Sequence, residues 1–176
     1  MTLKQLGIGF LALLGLGSAP LTGIAQDGEK YGFVNISLVI TQSEEGQAEA
    51  KELESFGAAK ERALLERQQE LQALTKQFEE GANSGQPDEE LKEKIERLQR
   101  ELERDARQAQ SDVDVSRQDR IQAIGSKAVE VVRKFAEAND YTVIFRIDGG
   151  QIVYVDPDVD LTQQIIEAYD KAHPVQ

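Results

Sequence analysis

The run Gly81-Ala82-Asn83-Ser84-Gly85-Gln86-Pro87 separates two long stretches that contain no proline. Two glycines, Asn, Ser and Pro so close together are a strong turn signal. Upstream, from Ser43 to Glu80, helix-forming residues dominate and glycine occurs only at Gly46 and Gly57. Ser43 has the side chain of an N-cap, and Glu44 and Glu45 follow where the helix dipole favours negative charge. Downstream, Asp88 is placed to cap a second helix, with Glu89 and Glu90 in its first turn. That helix can continue to about Asn139, with Gly125 as the one glycine on the way. Two long helices joined by a short turn fold back on each other. The spacing predicts an antiparallel hairpin arm over residues 43–112 with its tip at 81–87.

Steps of four and three connect Leu53, Gly57, Lys60, Leu64, Arg67, Leu71, Leu74 and Phe78 on the outgoing helix. On the return helix the same steps connect Leu91, Ile95, Leu98, Leu102, Asp105, Ala109, Asp112 and Ser116. This is a coiled-coil seam. It is imperfect, because Lys60, Arg67, Asp105 and Asp112 are expected to weaken it near mid-arm.

Outside the arm, residues 26–42 and 113–176 form a small body. Tyr31 to Ile36 reads as a short strand and Ser37 to Gln42 as one helical turn. Past Val113 the return helix becomes richer in branched residues, with Ile121, Ile124, Ala128, Val131, Val132 and Phe135 expected to pack on the body. Tyr141 to Ile147 and Gln151 to Val155 read as two further strands, joined by Asp148-Gly149-Gly150, residues that tolerate positive φ. Leu161 to Ala172 is an amphipathic closing helix. The predicted class is α+β, mostly α, with three strands per chain. So small a body buries little area alone, which points to an oligomer.

The first 25 residues have the layout of an export leader. Lys4 gives a positive start, Leu6 to Leu16 is apolar and uncharged, and Gly23 and Ala25 place small residues where a signal peptidase reads. Cleavage after Ala25 makes Gln26 the mature start. The alternative, a retained anchor, needs an apolar run of about 20 residues. With no Cys in the chain, lipid attachment through Cys, thiolate nucleophiles and Cys-bound metals are excluded.

The net charge is −12, and Lys4 is the only charge in the leader, so the remainder is one unit more negative. Such a field repels nucleic acid and anionic membrane surfaces. Trp is absent and charged residues make up 30% of the chain, a composition of extended helices rather than a thick core.

Asp156, Asp158, Asp160, Thr162, Gln164 and Glu167 occupy the spacing of a calcium loop. Leu161 stands where the sharp turn needs Gly, so the segment reads instead as a strand end, a turn and a helix start. Asp160 is the expected N-cap, with Gln163 completing a capping box. His173 is the single histidine and has no Cys or second His to work with. The carboxylate pairs lie on solvated helix faces. No catalytic residue, metal site or cofactor is predicted. The arm itself remains as the candidate. Phe56, Leu65, Ala106 and Val113 fall off the seam, and Leu74 and Phe78 lie near the tip. Either these side chains pack between the helices or some of them meet unfolded apolar clients.

The opening Tyr31-Gly32-Phe33-Val34-Asn35-Ile36, followed by Val39, Ser43, Glu45-Gly46, Ala48 and Leu53, resembles the start of Skp/OmpH proteins. The stretch Asp156-Pro157-Asp158-Val159-Asp160-Leu161-Thr162 resembles their closing motif, after a strand ending in Tyr154-Val155. Asn139-Asp140 replaces a glycine usual before Tyr141. The resemblance implies a homotrimeric, ATP-independent periplasmic holdase. In such a protein the strands of three chains share a central barrel, and three arms enclose a cavity for unfolded outer-membrane proteins. It also implies that Phe33, Val34, Ile36, Val143, Phe145, Ile152 and Tyr154 build the trimer body. Contact with the membrane is then indirect at most. One feature departs from well-known basic members. Between Lys60 and Arg107 there are ten Lys and Arg against thirteen Asp and Glu, which argues against a lipopolysaccharide site. The alternative function is a coiled-coil spacer or tether of the envelope, which needs no cavity.

Overall fold

A computed structural model describes residues 28–175; the expected leader lies outside them. Strand β1 (Tyr31–Val34) leads into a short helix α1 (Ile36–Gln42) and then α2 (Glu44–Asn83). Helix α3 (Glu89–Ala138), strand β2 (Val143–Arg146), a single 3-10 turn (Pro157–Val159) and helix α4 (Thr162–Ala172) follow. At 1.5 Å per residue, the 40 residues of α2 extend about 60 Å and the 50 of α3 about 75 Å. Among the described residues no helix is long and apolar enough to cross a membrane.

Local chemistry sets these boundaries. Asn35 caps α1, its side chain accepting from Leu38 N at 3.0 Å. Ser43 serves both neighbours: its N–H donates to the Val39 carbonyl of α1, and its hydroxyl accepts from Gly46 N of α2. The chain bends there because Ser43 is extended, at φ −63° and ψ 154°. Helix α2 runs three residues beyond its expected end at Glu80, through Asn83. It then stops in a Schellman turn, with Gly85 N donating to Ala82 O and Gln86 N to Gly81 O. Gly85 takes φ +77°, which suits a residue without Cβ. Asp88 then caps α3 by accepting from Leu91 N at 3.0 Å.

The sheet differs from expectation. It has two strands, parallel, in the register Tyr31↔Val143 to Val34↔Arg146. Parallel neighbours need a crossover connection, and here the whole arm is that connection, leaving the end of β1 and returning beside its start. No strand forms at 151–155. Arg146 binds Asp148, whose carboxylate also accepts from the backbone N–H and hydroxyl of Ser37, so the turn at 148–150 is pinned to the start of α1. The chain from 147 to 160 then crosses to the opposite edge of β1, where Asp160 bridges Phe33. Three strands per chain is therefore corrected to two. A second correction concerns the closing helix. Its N-cap is Leu161, and Asp160 instead binds the Thr162 N–H and hydroxyl in a local turn. Gln163 reaches forward to Glu167 rather than back.

The core joins β1, α1, the root of α3 and α4. Val34, Ile36, Val39, Ile124, Ala128, Val131, Leu161, Ile165, Ile166 and Tyr169 are buried together. Val132 and Phe135 pack against that core as expected, whereas Ile121 is exposed.

Candidate functional site

Two features of this fold are candidates for function: the arm, and the sheet face of the body. At the root, α4 holds the first turn of α2. Asp170 accepts from Glu44 N at 2.9 Å, and the buried Tyr169 hydroxyl donates to Glu45 at 2.7 Å. Lys127 of α3 donates to the other Glu45 oxygen at 2.6 Å. Burial alone would raise the Glu45 carboxyl, but the bonds from Lys127 and Tyr169 outweigh it and hold it below its ordinary value. Burial, reinforced by the Glu45 charge, pushes the Tyr169 phenol up. Gly46 sits so close to α1 that a Cβ there would lie 1.7 Å from the Ile40 carbonyl oxygen.

Four of the six ion pairs between α2 and α3 share one register. Glu45–Lys127, Glu52–Arg120, Lys60–Asp112 and Arg67–Asp105 each have residue numbers adding to 172, which centres the hairpin on residue 86. The residues expected to weaken the seam thus pair with one another across it. Their polarity is reversed relative to the root: acid on α2 and base on α3 give way to base on α2 and acid on α3. A slip of eight residues would set Glu52 against Asp112. The steps between rungs on α2, from 45 to 52, 60 and 67, average about 7.3 residues, two turns at the roughly 3.67 residues per turn of an 11-residue repeat.

The predicted client-binding side chains divide into two groups. Phe56, Leu74, Phe78 and Val113 are half-buried. The Lys60 ammonium lies 5.1 Å from the Phe56 ring centre. Leu65, at 54%, and Ala106 are exposed. The structure adds Val115, 57% exposed, and Val129, also exposed. Their signal in the sequence was the same as that of Leu65, an apolar residue off the seam, but both fell in the stretch assigned to body packing.

The predicted body residues divide as well. Val34 and Ile36 are buried in the chain's own core. Phe33 stacks on Phe145 with ring centres 5.4 Å apart, and Tyr31 tilts onto the same ring at 6.4 Å. Phe145, placed by the sequence in a strand interior, is 43% exposed, and Val143 is exposed beside it. Ile152 is half-buried, whereas Val153 is fully exposed and Tyr154 is 76% exposed. The aromatic side of the sheet, Tyr31 and Phe33 with Val143 and Phe145, is thus left largely uncovered by its own chain, and Val153 and Tyr154 are exposed as well. Among the described residues no group of three or more His, Cys, Asp or Glu is placed to hold a metal ion.

The sequence model of the outer membrane protein (OmpH-like) family matches residues 30–169, from the start of β1 to within α4. The chain belongs to the OmpH-like family. No sequence among the curated proteins matches it. By structure, this OmpH-like chain is similar to a candidate outer membrane chaperone, also OmpH-like, from Caulobacter crescentus CB15. The TM-score is 0.75 with 13% identity, over 99% of this chain and 94% of the other. At that identity the likeness is one of fold. The OmpH-like opening and closing motifs, far apart in sequence, lie side by side in space. Leu161 N donates to Phe33 O at 2.8 Å, and Asn35 N donates to the Thr162 hydroxyl at 3.0 Å. The two motifs are two halves of one contact, which fixes both ends of the body around the root of the arm.

Proposed function

We propose that this OmpH-like protein is an ATP-independent periplasmic holdase. Its body assembles as a homotrimer through the uncovered sheet face, and the arms hold unfolded outer-membrane proteins between them. It acts by binding, without catalysis or cofactor. The observation that carries the reading is the division of labour in the chain. One end presents Tyr31, Val143, Phe145, Val153 and Tyr154 uncovered, a surface that needs a partner. The other end is a long solvated hairpin with apolar side chains off its seam. Family membership and the fold shared with the Caulobacter protein support the chaperone reading and the periplasmic location.

The test is a shortened arm. Removing 62–72 together with 100–110 respects the register and takes about three turns, roughly 16 Å, from each helix while keeping the tip and both body motifs. The shortened protein is expected to keep the native mass by light scattering. It is expected to lose most of its ability to stop a large unfolded β-barrel protein from aggregating at stoichiometric ratio. Full protection by the shortened protein would overturn the reading and favour a spacer in which the arm is a strut.

A further inference from the structure

An open groove of about 570 Å³ runs along the root of the arm between α2 and α3. On α3 it extends from Gln108 to Ile124, about 24 Å at 1.5 Å per residue. Charged rungs join the helices along it: Lys60 to Asp112 at the outer end, then Arg120 to Glu49 and Glu52, and Lys127 to Glu45 at the inner end. Its apolar lining is the buried Ile124 together with Ala123 and Val115, both exposed, Val115 to 57%. The lining carboxylates are Glu45, Glu49, Asp112 and Asp119, and Arg120 is the one cation among them. Ion pairs engage Glu45, Glu49 and Asp112, whereas Asp119 is in none among the described residues.

We propose that this groove takes an extended segment of an unfolded client in which Lys or Arg alternates with branched or aromatic residues. About seven extended residues, at about 3.3 Å each, match its length. Side chains alternate across such a segment, so its apolar face meets Val115 and Ala123 and takes their surface out of water. The long stems of Lys and Arg on the other face reach the carboxylates along the rim. The rim selects by sign: a cation gains Asp119 and the neighbouring Glu49, while an anion meets four carboxylates and one Arg. A second copy of this chain fits less well, because at a net charge of −12 it presents mostly carboxylates. That the occupant is an unfolded client rests on the holdase reading; the preference for cations does not.

The chain has no Trp, so a Trp in a bound peptide is read alone. The probe is an unstructured peptide that alternates Val and Lys around one Trp, and its counterpart carries Glu in place of Lys. With the full protein at about 0.01 M salt, fluorescence anisotropy is expected to show the Lys peptide binding at least about tenfold more tightly. At about 1 M salt, where the screening length falls to about 3 Å, the difference should shrink to within about twofold. Asp119→Lys should weaken the Lys peptide about fivefold, the effect of one exposed ion pair, and Val115→Ser should weaken both peptides. Asp119 and Val115 are exposed, so both variants keep the fold. Glu93→Lys makes the same charge change at an exposed residue nearer the tip and should leave both affinities within about twofold. Equal losses in Glu93→Lys and Asp119→Lys, or equal binding of the two peptides at low salt, would overturn the assignment of the groove. Protection of an unfolded β-barrel protein, measured on the same samples, separates the two readings. Protection without a peptide preference sinks the groove alone, and an Asp119-dependent preference without protection sinks the holdase reading alone.

Discussion

Gly46 and Gly57 look alike in the sequence, both inside one helix, and the structure separates them. A Cβ at Gly46 would strike the Ile40 carbonyl, whereas nothing lies within 4 Å of one at Gly57. Gly57→Ala is expected to stabilise by about 1 kcal/mol, the usual helix preference. Gly46→Ala is expected to destabilise by about 1–3 kcal/mol, because backbone must move to admit it. Thermal melts of the two variants, shifting in opposite directions, check this. Tyr169→Phe removes the hydroxyl bond to Glu45 and should cost about 1–2 kcal/mol at neutral pH. Glu45 titrates below its ordinary value in the folded chain. Its contribution is therefore present above the unfolded carboxylate range and lost as pH falls through the folded value. The gap between Tyr169→Phe and native stability should accordingly be full at pH 7 and shrink below about pH 4. A gap that stays constant in denaturant titrations across this range would show that Glu45 is not the partner that matters.

At the scale of elements, helix ends organise the chain. Helix α3 stops at Asn139, and Tyr141 N donates back to Ala136 O at 3.0 Å. This closure requires Asp140 at φ +57°, the one non-glycine residue in the left-handed region among those described. The departure from the family's usual glycine thus has a physical meaning. Asp tolerates that conformation better than most residues, and glycine adopts it freely. Asp140→Gly is expected to melt within about 1 kcal/mol of native, and Asp140→Val to lose about 1–2 kcal/mol, since a branched residue pays the full left-handed cost. Equal melting of the two variants would contradict the assigned backbone. The arm is likewise a product of its ends. The Gly81–Pro87 turn and the Ser43 and Asp88 caps set its reversal, while the paired charges set its register.

For the whole molecule, the sheet face is the feature that its own chain leaves exposed. Phe145→Asp puts a charge in its centre, beside Phe33 and Tyr31. Covering the exposed part of a large aromatic ring is worth about 1–2 kcal/mol per chain, and burying an unpaired charge adds a penalty. On the proposed assembly, the variant is expected to show a lower mass by light scattering than the native protein at the same concentration. Unchanged mass and melting would place the association surface elsewhere.

The hairpin arm is legible in the sequence because its signals are local. A cap, a proline-free run and a glycine-rich turn act over a few residues, and Ser43, Asp88 and Gly85 do what their chemistry suggests. The closing helix and the first strand are legible for the same reason. What the sequence does not state is how distant segments meet. Alternation of apolar residues at 151–155 is the same whether or not a neighbouring strand is available, and only the route from Asp148 to Asp160 shows that the chain leaves the sheet edge there. Lys60, Arg67, Asp105 and Asp112 read singly as defects in a seam; the register pairs them, and pairing depends on where the turn centres the hairpin. The parallel order of β1 and β2 follows from an arm that returns to where it began. Local chemistry determined the elements, and the tertiary structure decided their partners, because a contact between residues a hundred positions apart is a property of neither.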